Sequence, residues 1–247
     1  MDESLFDRWN AIFRFNLTRR SRSARGQDSS AAVSGKSRLL LSGSTVPTLA
    51  EQVRKNSECL IADVGSRLIS ATFPSTIAEW HAVGRHWFDL VNQGVTSDRQ
   101  YENEYLALEE VRRRHEMIFG DRPLVFDQRY RLWTPPYLKL QIPPLLIHDC
   151  LDRFYGSLQT RMDASGNEEA AVATMAYVDH VMDGVIHPWR DGCGRVSTAL
   201  VMLLAGRTRT FPLFAETFEG HRVTLGDAEG HLAYFRACVI RAKALTH

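Results

Sequence analysis

The run VSTALVMLLAG, Val196 to Gly206, carries no charge, and it follows directly on the polar stretch HPWRDGCGR. A helix that is apolar on nearly every side belongs inside a core, so this run buries its own helix and holds whatever precedes it rigidly. The preceding turn places His187, Asp191, Gly192, Cys193, Gly194 and Arg195 within nine positions. That is far more chemistry than joining two helices requires.

At 247 residues, 44% hydrophobic and 24% charged, the chain is long enough for one domain with a small accessory region. Its 30 Lys and Arg against 29 Asp and Glu leave a net charge of +1, which offers no general attraction to nucleic acid or to an acidic membrane. Neither is expected as a partner. The four cysteines, Cys59, Cys150, Cys193 and Cys238, lie far apart with no CxxC pair, so neither a zinc pattern nor a dense disulfide framework is indicated. The N-terminus MDESLFDRWNAIFRF lacks the basic and apolar regions of a standard export signal, and no stretch has the length of a membrane span. A cytoplasmic protein is expected, which leaves room for delivery by a specialised secretion route.

Residues 18–45, rich in Ser, Gly, Ala and Arg, show no sustained apolar period and read as a mobile linker. Helical signals follow. Thr76 and Glu79 stand at capping-box spacing before Ile77, Trp80, Val83, Trp87, Leu90 and Val91, with a stop at Gly94. Further helices are predicted from near Arg99 to Phe119, from Pro143 and Pro144 to about Arg161, and from Glu168 to Ile186. Two more run from the polar turn to Gly206 and from Gly226 to Leu245. Only Leu124–Ile142, with its aromatics, charges and paired prolines Pro135 and Pro136, suits a short exposed hairpin. The fold is therefore mainly α with a small β element, divided as an N-terminal segment and linker (1–45), accessory helices (46–98) and a core (99–247).

The turn has the makings of a phosphate site. A starting helix offers free backbone N–H groups and the positive end of its dipole, and Gly192 and Gly194 let that backbone approach a ligand. Arg195 is a cation where the dipole disfavours one, which a bound anion would explain. Asp191 beside phosphate calls for a cation between them, Mg²⁺ being the usual one. His187 is the natural group to take a proton from an attacking hydroxyl. Together these point to phosphoryl or nucleotidyl transfer.

The stretch HPWRDGCGRVST resembles the Fic family signature, His-Pro-Phe-x-(Asp/Glu)-Gly-Asn-(Gly/Lys)-Arg-x-x-Arg. The resemblance covers roughly Arg99 to Gly206 and implies a Fic-like helical bundle with a hairpin flap. Most members transfer AMP from ATP to a protein hydroxyl. Carried over by position, it implies His187 as general base, Asp191 as Mg²⁺ ligand, and Gly192, the position of Cys193, Gly194 and Arg195 as nucleotide-binding. It also implies a target protein aligned along the flap near Tyr130 by strand addition.

Three positions depart from the signature. Trp189 replaces phenylalanine, Cys193 replaces asparagine, and Thr198 replaces the final arginine that holds a terminal phosphate. A charged hydrogen bond is worth about 1.5–3 kcal/mol, so the last loss weakens ATP binding roughly tenfold or more. The departures leave room for a catalytically impaired binding protein, for a non-ATP donor, or for a small-molecule acceptor. Ser75 and Glu79 approach the family's inhibitory Ser/Thr-x-x-x-Glu-Gly/Asn motif, but Trp80 occupies its last place and Thr198 removes the arginine it would pair with. Self-inhibition of that kind is not expected.

Other residues have ordinary explanations. Cys193 is either a nucleophile activated by the helix end and a histidine, or an inert packing thiol, the latter being favoured. Asp179, His180 and Asp183 precede the motif on one helix and are expected to be structural, since Asp179 and His180 point apart. Tyr130, Trp133 and Tyr137 either form a target surface or anchor the hairpin, and Arg129 and Arg131 read as exposed arginines.

Overall fold

The computed structural model describes residues 1–28, 48–95, 107–135, 140, 142–215, 221 and 223–245, with the side chains of 19–28 left aside. The apolar run forms the heart of helix α7, Cys193–Thr208, in which every residue from Val196 to Gly206 is buried. Around it pack α1 (Glu3–Asp28), α2 (Leu49–Ile69), α3 (Ile77–Asn92) and α6 (Glu168–Asp179). Helices α4 (Leu108–Phe119), α5 (Ile147–Ala164) and α8 (Ala228–Ala244) complete the described bundle. One apolar cluster extends from Trp9 to Ala242, so α1, α2 and α3 share the core of the C-terminal helices.

The N-terminal part corrects the sequence reading. Residues 18–28, assigned to a mobile linker, continue α1, while 29–45 lie outside the described residues. The Ser and Arg content hid the apolar stripe of the preceding turns, where Trp9, Phe13 and Leu17 are buried. Polar anchors fix the helix as well: Trp9 Nε1 donates to Met202 O at 2.8 Å, and Asn16 bonds Pro212 O at 2.9 Å and Phe214 N at 3.0 Å.

Helices α2 and α3 both open with complete capping boxes, Thr48 with Glu51 and Thr76 with Glu79. The predicted α3, α5 and α8 agree with the sequence to within a few residues, and the part of the Arg99–Phe119 helix that precedes 107 lies outside the described residues. Among the described residues of Leu124–Ile142 no two strands pair with each other, and the one bridge joins Tyr130 to Trp189 of the polar turn. Tyr130, Arg131 and Trp133 are buried, so this portion is not an exposed hairpin. It is a belt beneath the turn.

The long helix that starts at Glu168 changes character after Asp179. His180–Ile186 widens into a π-helical segment, closed by His187 N donating to Met182 O at 3.0 Å. Gly184 is required within it: a Cβ there would sit 2.4 Å from the backbone oxygen of Leu225. Gly184→Ala is therefore expected to destabilise the protein by about 1–3 kcal/mol, because the obstacle is backbone and cannot rotate away. Urea unfolding checks this, and a stability unchanged from the parent would refute it.

Candidate active site at the α6–α7 turn

The π segment delivers His187 in a left-handed conformation, φ 44° and ψ 60°. A non-glycine residue held there stores roughly 1–3 kcal/mol of strain, which the surroundings must enforce. The enforcing group is Arg131. Fully buried, its guanidinium donates from Nε to His187 O at 2.7 Å and from Nη2 to Ile186 O at 3.1 Å and Ile142 O at 2.6 Å, and Nη1 bonds Trp133 O. Its backbone N–H reaches Pro188 O at 2.9 Å, and Arg190 N donates to Arg129 O at 3.1 Å. The sequence offered no sign of this. An arginine read as exposed is the strut of the turn.

The His187 side chain is nearly enclosed, 16% exposed. Its Nδ1 lies 3.0 Å from the backbone oxygen of Asp183 and 3.5 Å from the carboxylate Oδ1 of the same residue. A carbonyl can only accept, so Nδ1 carries the proton and Nε2 remains as the basic nitrogen. Burial disfavours the charged ring, but the neighbouring Cys193 sulfur and Asp183 outweigh it and hold His187 well above its ordinary pKa. Cys193 is buried, and its sulfur accepts from Trp189 N at 3.3 Å and donates to Trp189 O at 3.4 Å. Asp183, expected to be structural, orients the histidine.

Trp189 fits where a smaller ring was anticipated because Gly84 of α3 faces it, a Cβ there lying 3.3 Å from the indole. The indole also packs on Phe88 and Tyr130 with ring centroids 5.5 Å away in each case. Gly192 is the N-cap of α7, with φ 81° and no side-chain cap on the helix. Any side chain at 192 would be strained by that φ and would meet Val91 Cγ2 at 2.9 Å. Cys193 and Gly194 occupy the first two positions of α7, where helix N–H groups have no intrahelical acceptor.

The charged residues of the turn are partly committed to the protein itself. Asp191, 32% exposed, accepts from Gly192 N at 2.6 Å and lies 3.6 Å from Arg195. Arg195 donates from Nη1 to Val91 O at 2.7 Å, with Asn92 Oδ1 3.5 Å from Nη2. It therefore caps the carboxyl end of α3, where a cation is favoured, and a bound anion is not needed to explain it. Thr198 returns its hydroxyl to Gly194 O at 2.7 Å and is buried. Glu79, of the near-inhibitory motif, caps its own helix through Ser75 and Thr76. Tyr130, proposed as part of a target-binding edge, instead hydrogen-bonds His148 Nδ1 at 3.1 Å from a buried position.

The turn thus brings His187, Asp191, Gly192, Cys193, Gly194 and Arg195 to one bend between α6 and α7, as the spacing implied. No family model, curated protein or solved structure matches this chain. Among the described residues no helix is long and apolar enough to cross a membrane.

Proposed function

We propose that the chain is a Fic-type transferase that moves AMP, or another phosphate-containing group, from a nucleotide to a hydroxyl of a target protein. The observation that carries this reading is the α7 N-terminus. Its N-cap is a left-handed glycine that supplies no side-chain cap, and it follows a half-buried carboxylate and a histidine whose Nδ1 is held by Asp183 O.

In this reading the first N–H groups of α7 hold phosphate oxygens, and Arg195 contributes charge from the flank. Asp191 suits Mg²⁺, because that ion commonly takes one or two protein carboxylates and completes its shell with water and phosphate oxygens. Bound there, Mg²⁺ would neutralise phosphate charge. His187 accepts the hydroxyl proton at Nε2 while Asp183 O keeps Nδ1 protonated and the ring oriented. Arg131 fixes the backbone from which that ring projects.

A second reading has its own support. Arg195 is engaged at the end of α3 and Thr198 at Gly194, so the position of the signature's final arginine offers no cation for a terminal phosphate. That suits a protein that binds a nucleotide without transferring anything, a donor other than ATP, or a small-molecule acceptor.

The readings separate on incubating the purified chain with Mg²⁺, cell lysate and labelled ATP, GTP, UTP or CDP-choline. Transfer that Asp191→Ala abolishes supports the enzyme, and the donor is whichever nucleotide is consumed. Nucleotide retained by the chain with no labelled product supports the binding protein instead.

A further inference from the structure

Three ligand-type side chains meet away from the turn. Asp179 ends α6, His221 lies between α7 and α8, and His231 stands in the first turn of α8. All three are at 0% exposure, and one ligating atom from each lies within 4.8 Å of the other two. Both imidazoles aim Nε2 at the same carboxylate oxygen, Asp179 Oδ2, with His231 at 3.1 Å and His221 closer still. The other oxygen accepts from Ser197 Oγ of α7 at 2.5 Å.

Proton accounting at His231 calls for a cation. Thr224 Oγ1 donates to His221 O at 2.9 Å and lies 2.9 Å from His231 Nδ1. With its single proton on the carbonyl, Thr224 can only accept, so Nδ1 carries the ring proton. Neutral His231 then presents a lone pair at Nε2 to a carboxylate oxygen. His221 Nε2 converges on the same carboxylate oxygen, so a single bound ion would satisfy both rings at once. A metal ion uses both Nε2 lone pairs and the carboxylate together.

We infer that Asp179, His221 and His231 form a buried structural site for a divalent transition metal, with Zn²⁺ the ion best matched to two imidazoles and one carboxylate. Thr224 behind His231 and Ser197 behind Asp179 are the outer partners that orient such ligands. The ion ties the end of α6 to α8 and to the connection between α7 and α8. The site is independent of Asp191 and of any nucleotide.

Elemental analysis of the purified full-length chain is expected to find near-stoichiometric zinc. Stripping with a chelator lowers the melting temperature, Zn²⁺ restores it, and Mg²⁺ does not. Co²⁺ in place of zinc gives a visible ligand-field absorption. Thr224→Val, which keeps all three ligands, weakens zinc binding roughly 10- to 100-fold. His231→Gln loses the metal, whereas Asp191→Ala retains it, which separates this site from the proposed active site. Two outcomes overturn the inference: stripped and untreated chains that melt identically with no bound metal, or zinc retained in full by His231→Gln. Stability that follows pH but ignores Zn²⁺ places a proton where the metal was inferred, and overturns it too.

Discussion

His187→Ala is expected to lower labelled transfer by roughly 10² to 10⁴-fold, the usual contribution of a positioned general base, while the protein remains folded. Asp183 O accepts from Nδ1, which assigns proton transfer to Nε2. The same geometry predicts a pH signature. With His187 held above its ordinary pKa, Nε2 becomes available as a base at higher pH than in a free histidine, so transfer rises as pH increases past the free-histidine range. Burial alone would act the other way, and the Cys193 sulfur is the largest influence raising the value. Cys193→Ser should therefore move the rising limb to lower pH while transfer persists. Initial rates between pH 6 and 9 for the parent, His187→Ala and Cys193→Ser check both points. A pH profile unmoved by Cys193→Ser would separate the thiol from the base, and full activity in His187→Ala would end the proposed chemistry.

Arg131→Met is expected to cost several kcal/mol of stability, since each buried acceptor left without its donor costs about 1–3 kcal/mol. Methionine approximates the arginine stem, so the loss falls on hydrogen bonding rather than volume. Carbonyls of Ile186, His187, Ile142 and Trp133 each lose a donor, those of Ile186 and Trp133 in buried surroundings. The left-handed backbone at His187 loses its restraint in the same step. Urea unfolding measures the stability. Should the variant be too unstable to study, Arg131→Lys supplies the comparison: it keeps a charge but not the fork of donors, and is expected to fold with His187 less well held. In Arg131→Lys the transfer rate should fall more than nucleotide affinity, because the strut acts on the base and not on the phosphates. Stability matching the parent in both variants would show that the strut is unnecessary.

Most helices were legible because their causes are local. The Thr76 and Glu79 capping box, the three-and-four spacing through Val91, and the charge-free run after Arg195 each specify an element from neighbouring residues alone. The bend was legible for the same reason, as its residues are consecutive. What misled the reading were properties set by distant partners. Polar composition hid the continuation of α1, and the aromatic stretch around Tyr130 suggested exposed strands where the chain lies under the turn. Arg195 looked like an anion ligand until the end of α3 came within 2.7 Å of it.

The sequence by itself therefore determined a mainly helical chain, a central helix buried on all sides, and a polar bend with a histidine, an acid, two glycines and an arginine at its N-terminus. Only the tertiary structure decided that Arg131 braces the histidine, that Asp183 orients its ring, and that Asp179 meets His221 and His231. The physical reason is range. Helix propensity and capping act over a turn or two, whereas hydrogen bonding and charge coupling in a core join residues 40 to 60 positions apart, as His221 and His231 are from Asp179 and Arg131 is from His187.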